Sequence, residues 1–102
     1  MTKTNNQSLI NSISDYFSSK PVSRAYLFGS TARNENTEDS DIDILVELDH
    51  SKPIGFGFFK MHLELEGLLG KKVDLATPNS LSVFIKSRVN KEKKLIYEKK
   101  TR

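Results

Sequence analysis

The most constraining feature of this chain is Asp41-Ile42-Asp43, set at the head of an apolar run that continues to Leu48. A strand sends successive side chains to opposite faces, so Asp41 and Asp43 share one face. Ile42, Ile44, Val46 and Leu48 line the other. One face is therefore core and the other presents two carboxylates side by side. Like charges at that separation raise each other's pKa unless a cation sits between them. The pattern points to a divalent-metal site carried on a strand.

The segments around it give that strand a setting. Val22 to Phe28 is apolar and partly β-branched or aromatic, which predicts a strand. Gly29-Ser30-Thr31-Ala32-Arg33 follows directly. A glycine at a strand end permits a tight turn, and Ser30 then falls near the start of a short helix. Asn34 to Ser40 is wholly polar and reads as a surface loop into the strand Asp41 to Leu48. Further on, Val73 to Ala76 predicts a third strand in which Val73 and Leu75 point one way and Asp74 the other. If that strand lies beside the second, Asp74 joins the face of Asp41 and Asp43.

The remaining segments read as helices. Leu9, Ile10, Ile13 and Phe17 recur at three- and four-residue spacing, predicting a helix from Asn5 to Ser18 with Asn5 or Asn6 as cap. Lys20-Pro21 ends it. Ile54, Phe58, Met61, Leu65 and Leu68 mark one face of a second helix, weakened at its start by Gly55 and Gly57 and stopped by Gly70. Leu81, Phe84, Ile85 and Val89 predict a third helix face, with Ser80 as cap. Lys94 to Glu98 fits a last helical turn or a short edge strand equally well. The alternation predicts an α/β (α+β) fold, a small mixed sheet flanked by helices, in one domain spanning residues 1–102.

Composition narrows the function classes. Without cysteine, disulfides, thiolate metal sites and thiol nucleophiles are excluded. No apolar run approaches the roughly 20 residues that cross a bilayer, and the N-terminus carries no long apolar leader segment. The expectation is a cytoplasmic protein without membrane association. Residues 86–102 hold eight Lys/Arg against Glu92 and Glu98, a local +6, which leaves −3 of the total +3 for residues 1–85. A basic tail of this kind could touch nucleic acid or an acidic partner, but plain solvation is the simpler reading, and no direct nucleic-acid binding is expected.

Together these groups suit phosphoryl transfer from a nucleoside triphosphate. Mg²⁺ favours one or two protein carboxylates plus phosphate oxygens and water, which Asp41 and Asp43 can supply. Backbone N–H groups after Gly29, with the Ser30 hydroxyl, can cradle a triphosphate, and Arg33 can neutralise phosphate charge. Asp74 can help hold a catalytic metal and accept the proton of an incoming hydroxyl.

Gly29-Ser30, Arg33, Ser40-Asp41-Ile42-Asp43 and Val73-Asp74-Leu75 resemble the signature of the DNA polymerase beta-type nucleotidyltransferase superfamily. The short length is most similar to its minimal nucleotidyltransferase (MNT) branch. The resemblance runs from about Tyr26 to Leu75, with a weaker likeness over Ile85 to Glu98. It implies a small mixed sheet with both metal-binding aspartates on one strand. It also implies an antitoxin that transfers AMP from ATP to a tyrosine of a HEPN-domain ribonuclease toxin, as one component of a hetero-oligomer. By that analogy Asp41, Asp43 and Asp74 form the catalytic and metal set, with two Mg²⁺ ions, and Gly29, Ser30 and Arg33 hold the nucleotide.

Two alternatives stand beside this reading. An antitoxin could neutralise its partner by occlusion alone, through Phe56, Phe58 and Phe59 and the basic tail. A nucleotidyltransferase for a small hydroxylated molecule would need an acceptor-binding region that the chain does not offer. His50 reads as a solvated turn residue, His62 as a half-buried packing residue, and Glu47 as the rim of the carboxylate face.

Overall fold

The computed structural model describes residues 6–100, in the order α1 (Asn6–Phe17), β1 (Val22–Phe28), α2 (Gly29–Ala32), β2 (Ile42–Leu48), α3 (Gly57–Leu69), β3 (Val73–Ala76), a 3₁₀ turn (Pro78–Ser80), α4 (Val83–Glu92) and β4 (Lys94–Glu98). Asn5, one of the two expected caps of α1, lies outside the described residues. The four strands form one sheet in the order β3-β2-β1-β4. β1 runs antiparallel to both β2 and β4, while β2 and β3 are parallel, so the sheet is mixed.

The main core lies on one face. Ile42, Ile44 and Val46 of β2 join Ala25, Leu27 and Val73 beneath Ile13 and Phe17 of α1 and Met61 and Leu65 of α3. This is the alternation that the sequence of β2 dictates, and each fully buried aliphatic contributes about 1.5–3 kcal/mol. The second face is not purely polar, contrary to expectation. Leu45 follows Asp43 by two positions on that face and is buried with Phe28, Ala76 and Val89. A small second core thus separates the carboxylates from Glu47, whose carboxylate engages Arg24 and the Tyr26 hydroxyl.

Two boundaries differ from the sequence reading for physical reasons. α3 starts at Gly57, and Phe56 before it is 91% exposed, because Gly57 N–H is taken by Ile54 O in a preceding turn (2.6 Å). Gly70 ends α3 as expected, left-handed at φ +64° with its N–H on Glu66 O. Ser80 is not the cap of α4: its hydroxyl is used within the 3₁₀ turn, bonding Thr77 O and accepting from Thr77 N–H. Ser82 caps α4 instead, accepting from Ile85 N–H at 3.3 Å. The apolar spacing on α4 is also not a buried face. Val89 alone is buried, while Val83 and Phe84 are 82% and 91% exposed. Lys94–Glu98 is an edge strand, paired with β1.

Candidate active site

β1 ends at Phe28, which pairs in register with Asp43 of β2, and Asp43 in turn pairs with Asp74 of β3. The turn after β1, Asp43 and Asp74 are thereby set side by side across three neighbouring strands. Strand parity puts Asp43 and Asp74 on one face, and the parallel register makes them direct neighbours. Asp41 stands one residue before β2, exposed at the strand's mouth. With Asp43, Asp74, Lys72, His62 and Glu66 it lines an open groove of about 260 Å³.

Gly29 opens α2 with φ +69°, a conformation L side chains rarely adopt. It is also the point of closest approach to the carboxylates: a Cβ there would overlap Asp43 Oδ2. The glycine is thus required twice, by backbone conformation and by space. Ser30 is half-exposed beside it, and Arg33 follows at the end of α2. Arg33 is not free to swing, because its guanidinium bonds Glu35 (2.9 Å) and Glu92 (3.0 Å).

The electrostatics reflect crowding of negative charge. The Asp43 carboxyl is pushed up to about 6, first by burial and then by Asp74, Asp41 and Glu92, with Arg33 opposing. A cation placed against Asp43 would relieve that repulsion. Among the described residues, no group of three or more carboxylates or imidazoles is gathered closely enough to hold a metal by itself. The geometry therefore fits an ion that draws its remaining ligands from phosphate oxygens and water, as Mg²⁺ does.

Two supporting interactions carry no motif in the sequence. Val73, immediately before Asp74, lies on the outer edge of the sheet. Its N–H donates to Glu66 Oε2 (3.0 Å), and His62 Nε2 donates to its carbonyl (2.8 Å). α3 thus satisfies the edge backbone that an extra strand would otherwise recruit, and it fixes the register of Asp74. The second is Glu92, the last residue of α4, which accepts from Gly29 N–H (3.0 Å) and Arg33 Nη1 (3.0 Å). The i,i+4 spacing of His62 and Glu66 is the signal that could have found the first pair; nothing local marks Glu92.

The Polymerase beta, Nucleotidyltransferase family matches residues 11–102. The chain belongs to this family. The nucleotidyltransferase is 48% identical over 71 residues to a Methanocaldococcus jannaschii chain provisionally named a protein adenylyltransferase, a match covering 70% of this chain and 75% of that one. It is 42% identical over 66 residues to the protein adenylyltransferase MntA of Thermococcus cleftensis, covering 65% and 66%. Its fold matches a crystal structure of a mutant MntA–HpeT toxin–antitoxin complex with a TM-score of 0.62 at 26% identity, covering 91% of this chain and 72% of the matched one. The chain is a nucleotidyltransferase enzyme. None of its helices among the described residues is long and apolar enough to cross a membrane.

Proposed function

We propose that this nucleotidyltransferase is an Mg²⁺-dependent protein adenylyltransferase and antitoxin. It transfers AMP from ATP to a tyrosine hydroxyl of a HEPN-domain ribonuclease toxin and so silences it. The observation that carries the reading is the in-register pairing of Asp43 with Asp74 next to the Gly29 turn. The relatives named as protein adenylyltransferases and the toxin–antitoxin fold neighbour support the acceptor class.

In this reading the Gly29-Ser30 turn and Arg33 bind and orient the triphosphate. Asp41 and Asp43 would hold Mg²⁺, and Asp74 would help to hold a second ion. The chemistry such a metal would supply is neutralisation of phosphate charge. Asp74 accepts the proton of the tyrosine hydroxyl, whose oxygen bonds to the α-phosphorus as the bond to the pyrophosphate oxygen breaks. The acceptor approaches along the open groove beside Asp74, between the carboxylates and His62 and Glu66 of α3.

Incubation with labelled ATP, Mg²⁺ and the neighbouring gene's product tests this. Label should reach the partner, and the Asp41→Asn/Asp43→Asn protein should transfer none. A double variant that labels as fast as the parent ends the proposal. One observation favours a second reading, neutralisation by occlusion. Phe56 just before α3, Phe59 on α3, and Val83 and Phe84 on α4 are exposed, while Phe58 packs against the main core. Under occlusion alone the double Asn variant would still neutralise.

A further inference from the structure

We propose that Glu92 is the positioning residue of the phosphate-binding turn, reaching from the end of α4 to set the geometry of Gly29 to Arg33 without itself touching nucleotide or metal. This rests on the reading above that the turn holds a triphosphate. The two donors it accepts from, Gly29 N–H and Arg33 Nη1, lie 63 and 59 residues away in the chain and at opposite ends of α2. One carboxylate therefore clamps the whole four-residue turn to a separate helix. The side chain is only 16% exposed, so the clamp is shielded from water.

The clamp has no substitute among the described residues. Gly29 is buried, and a buried backbone N–H without an acceptor is destabilising. On its other side the Asp43 carboxylate abuts Gly29, so the turn cannot relax toward the sheet. Arg33 without Glu92 keeps Glu35, but that residue is two positions away in the same segment and mostly exposed. Such a pair orients Arg33 relative to its own loop and not relative to the sheet. Glu92 also stays ionised for this role. Burial acts to raise its pKa, but the Arg33 guanidinium and Gly29 N–H outweigh it and hold the group below the usual carboxylate range.

The reciprocal holds for α4. Val89 is its one buried side chain, so Glu92 is the second point by which the helix grips the body. The exposed Val83 and Phe84 stand at the opposite end of the same helix.

The test is calorimetric binding of Mg²⁺ with β,γ-imido-ATP, and of AMP, to the parent, Glu92→Gln and Glu92→Ala proteins. Glu92→Ala should bind the triphosphate analogue at least about tenfold more weakly, the scale of a lost charge-assisted hydrogen bond. AMP, which lacks the β- and γ-phosphates, should lose much less. Glu92→Gln keeps an acceptor for Gly29 N–H and should recover most of the loss. In the free protein, the Gly29 amide should exchange slowly in the parent and Gln proteins and fast in Glu92→Ala. Equal or tighter binding of the triphosphate by Glu92→Ala overturns the inference, because the carboxylate would then be idle or competing for the donors. So does an equal loss for AMP, which marks general damage. A parent protein that binds no Mg²⁺–triphosphate overturns the nucleotide-site reading and the positioning role with it, whereas a parent that binds beside unaltered variants overturns the role of Glu92 alone.

Discussion

Replacing Asp43 by asparagine should make the metal-free protein more stable, and only above a certain pH. Burial and the neighbouring carboxylates raise the Asp43 carboxyl from 3.8 to about 6 in the folded chain. A group whose folded pKa is raised contributes stability that is fully present below the unfolded value and lost as pH climbs through the folded one. The parent should therefore lose stability between about pH 4 and pH 6 from this group and stay on the lower plateau above. That displacement corresponds to about 3 kcal/mol if fully felt, and solvent around a half-exposed side chain reduces it to about 1 kcal/mol. The asparagine side chain keeps the shape and carries no charge, so the variant should escape the loss. Urea unfolding with chelator present, at several pH values from 4 to 8, reads this directly. The difference in favour of Asp43→Asn should be near zero at the acid end and about 1 kcal/mol at pH 8. Added Mg²⁺ should raise the parent curve and leave the variant's unchanged. Parallel pH profiles for the two proteins would refute the account of charge crowding at Asp43.

Other expectations follow from single positions. Gly29→Ala should lower stability by roughly 2–3 kcal/mol and abolish transfer, since it combines a left-handed backbone with overlap on Asp43 Oδ2; thermal melts and a labelling assay check both. Thr31→Val should raise stability by about 1 kcal/mol, because the 2% exposed Thr31 buries a hydroxyl with no hydrogen-bond partner among the described residues. A fall in stability in denaturant titration would mean that an ordered water satisfies that hydroxyl. Phe56→Ser with Phe59→Ser should leave the unfolding free energy within about 0.5 kcal/mol of the parent, as both rings are exposed. If that patch docks the partner, the same variant should weaken the complex in a pull-down titration while ATP binding persists.

Much of this fold is written in local pattern. β1 falls where its apolar, β-branched and aromatic content puts it, β3 where alternation puts it, and β2 begins one residue later than its sequence suggests. The alternation around Ile42, Ile44 and Val46 separates core from carboxylate face without any tertiary information. Strand order is not local: only the parallel pairing of β2 and β3 turns the lone Asp74 into a neighbour of Asp43. Helical spacing likewise says which residues share a face, not whether anything covers it. α3 buries Met61 and Leu65, while α4 leaves Val83 and Phe84 in solvent. Spacing alone points to Ser80 as the cap of α4, but the 3₁₀ turn takes up its hydroxyl, and Ser82 caps the helix instead. Glu92 was invisible for a further reason. Its partners are a backbone N–H and an arginine from the far end of the chain, and no spacing rule connects them.

The central claim is that the aspartates beside the Gly29 turn perform a transfer onto a partner protein. Intact-mass measurement of the neighbouring gene's product, after incubation with this protein, ATP and Mg²⁺, tests it most directly. The account predicts a mass gain of one or more AMP groups, mapped to tyrosine, that is lost with Asp41→Asn/Asp43→Asn and with Asp74→Asn. A partner that is neutralised while its mass stays unchanged would contradict it.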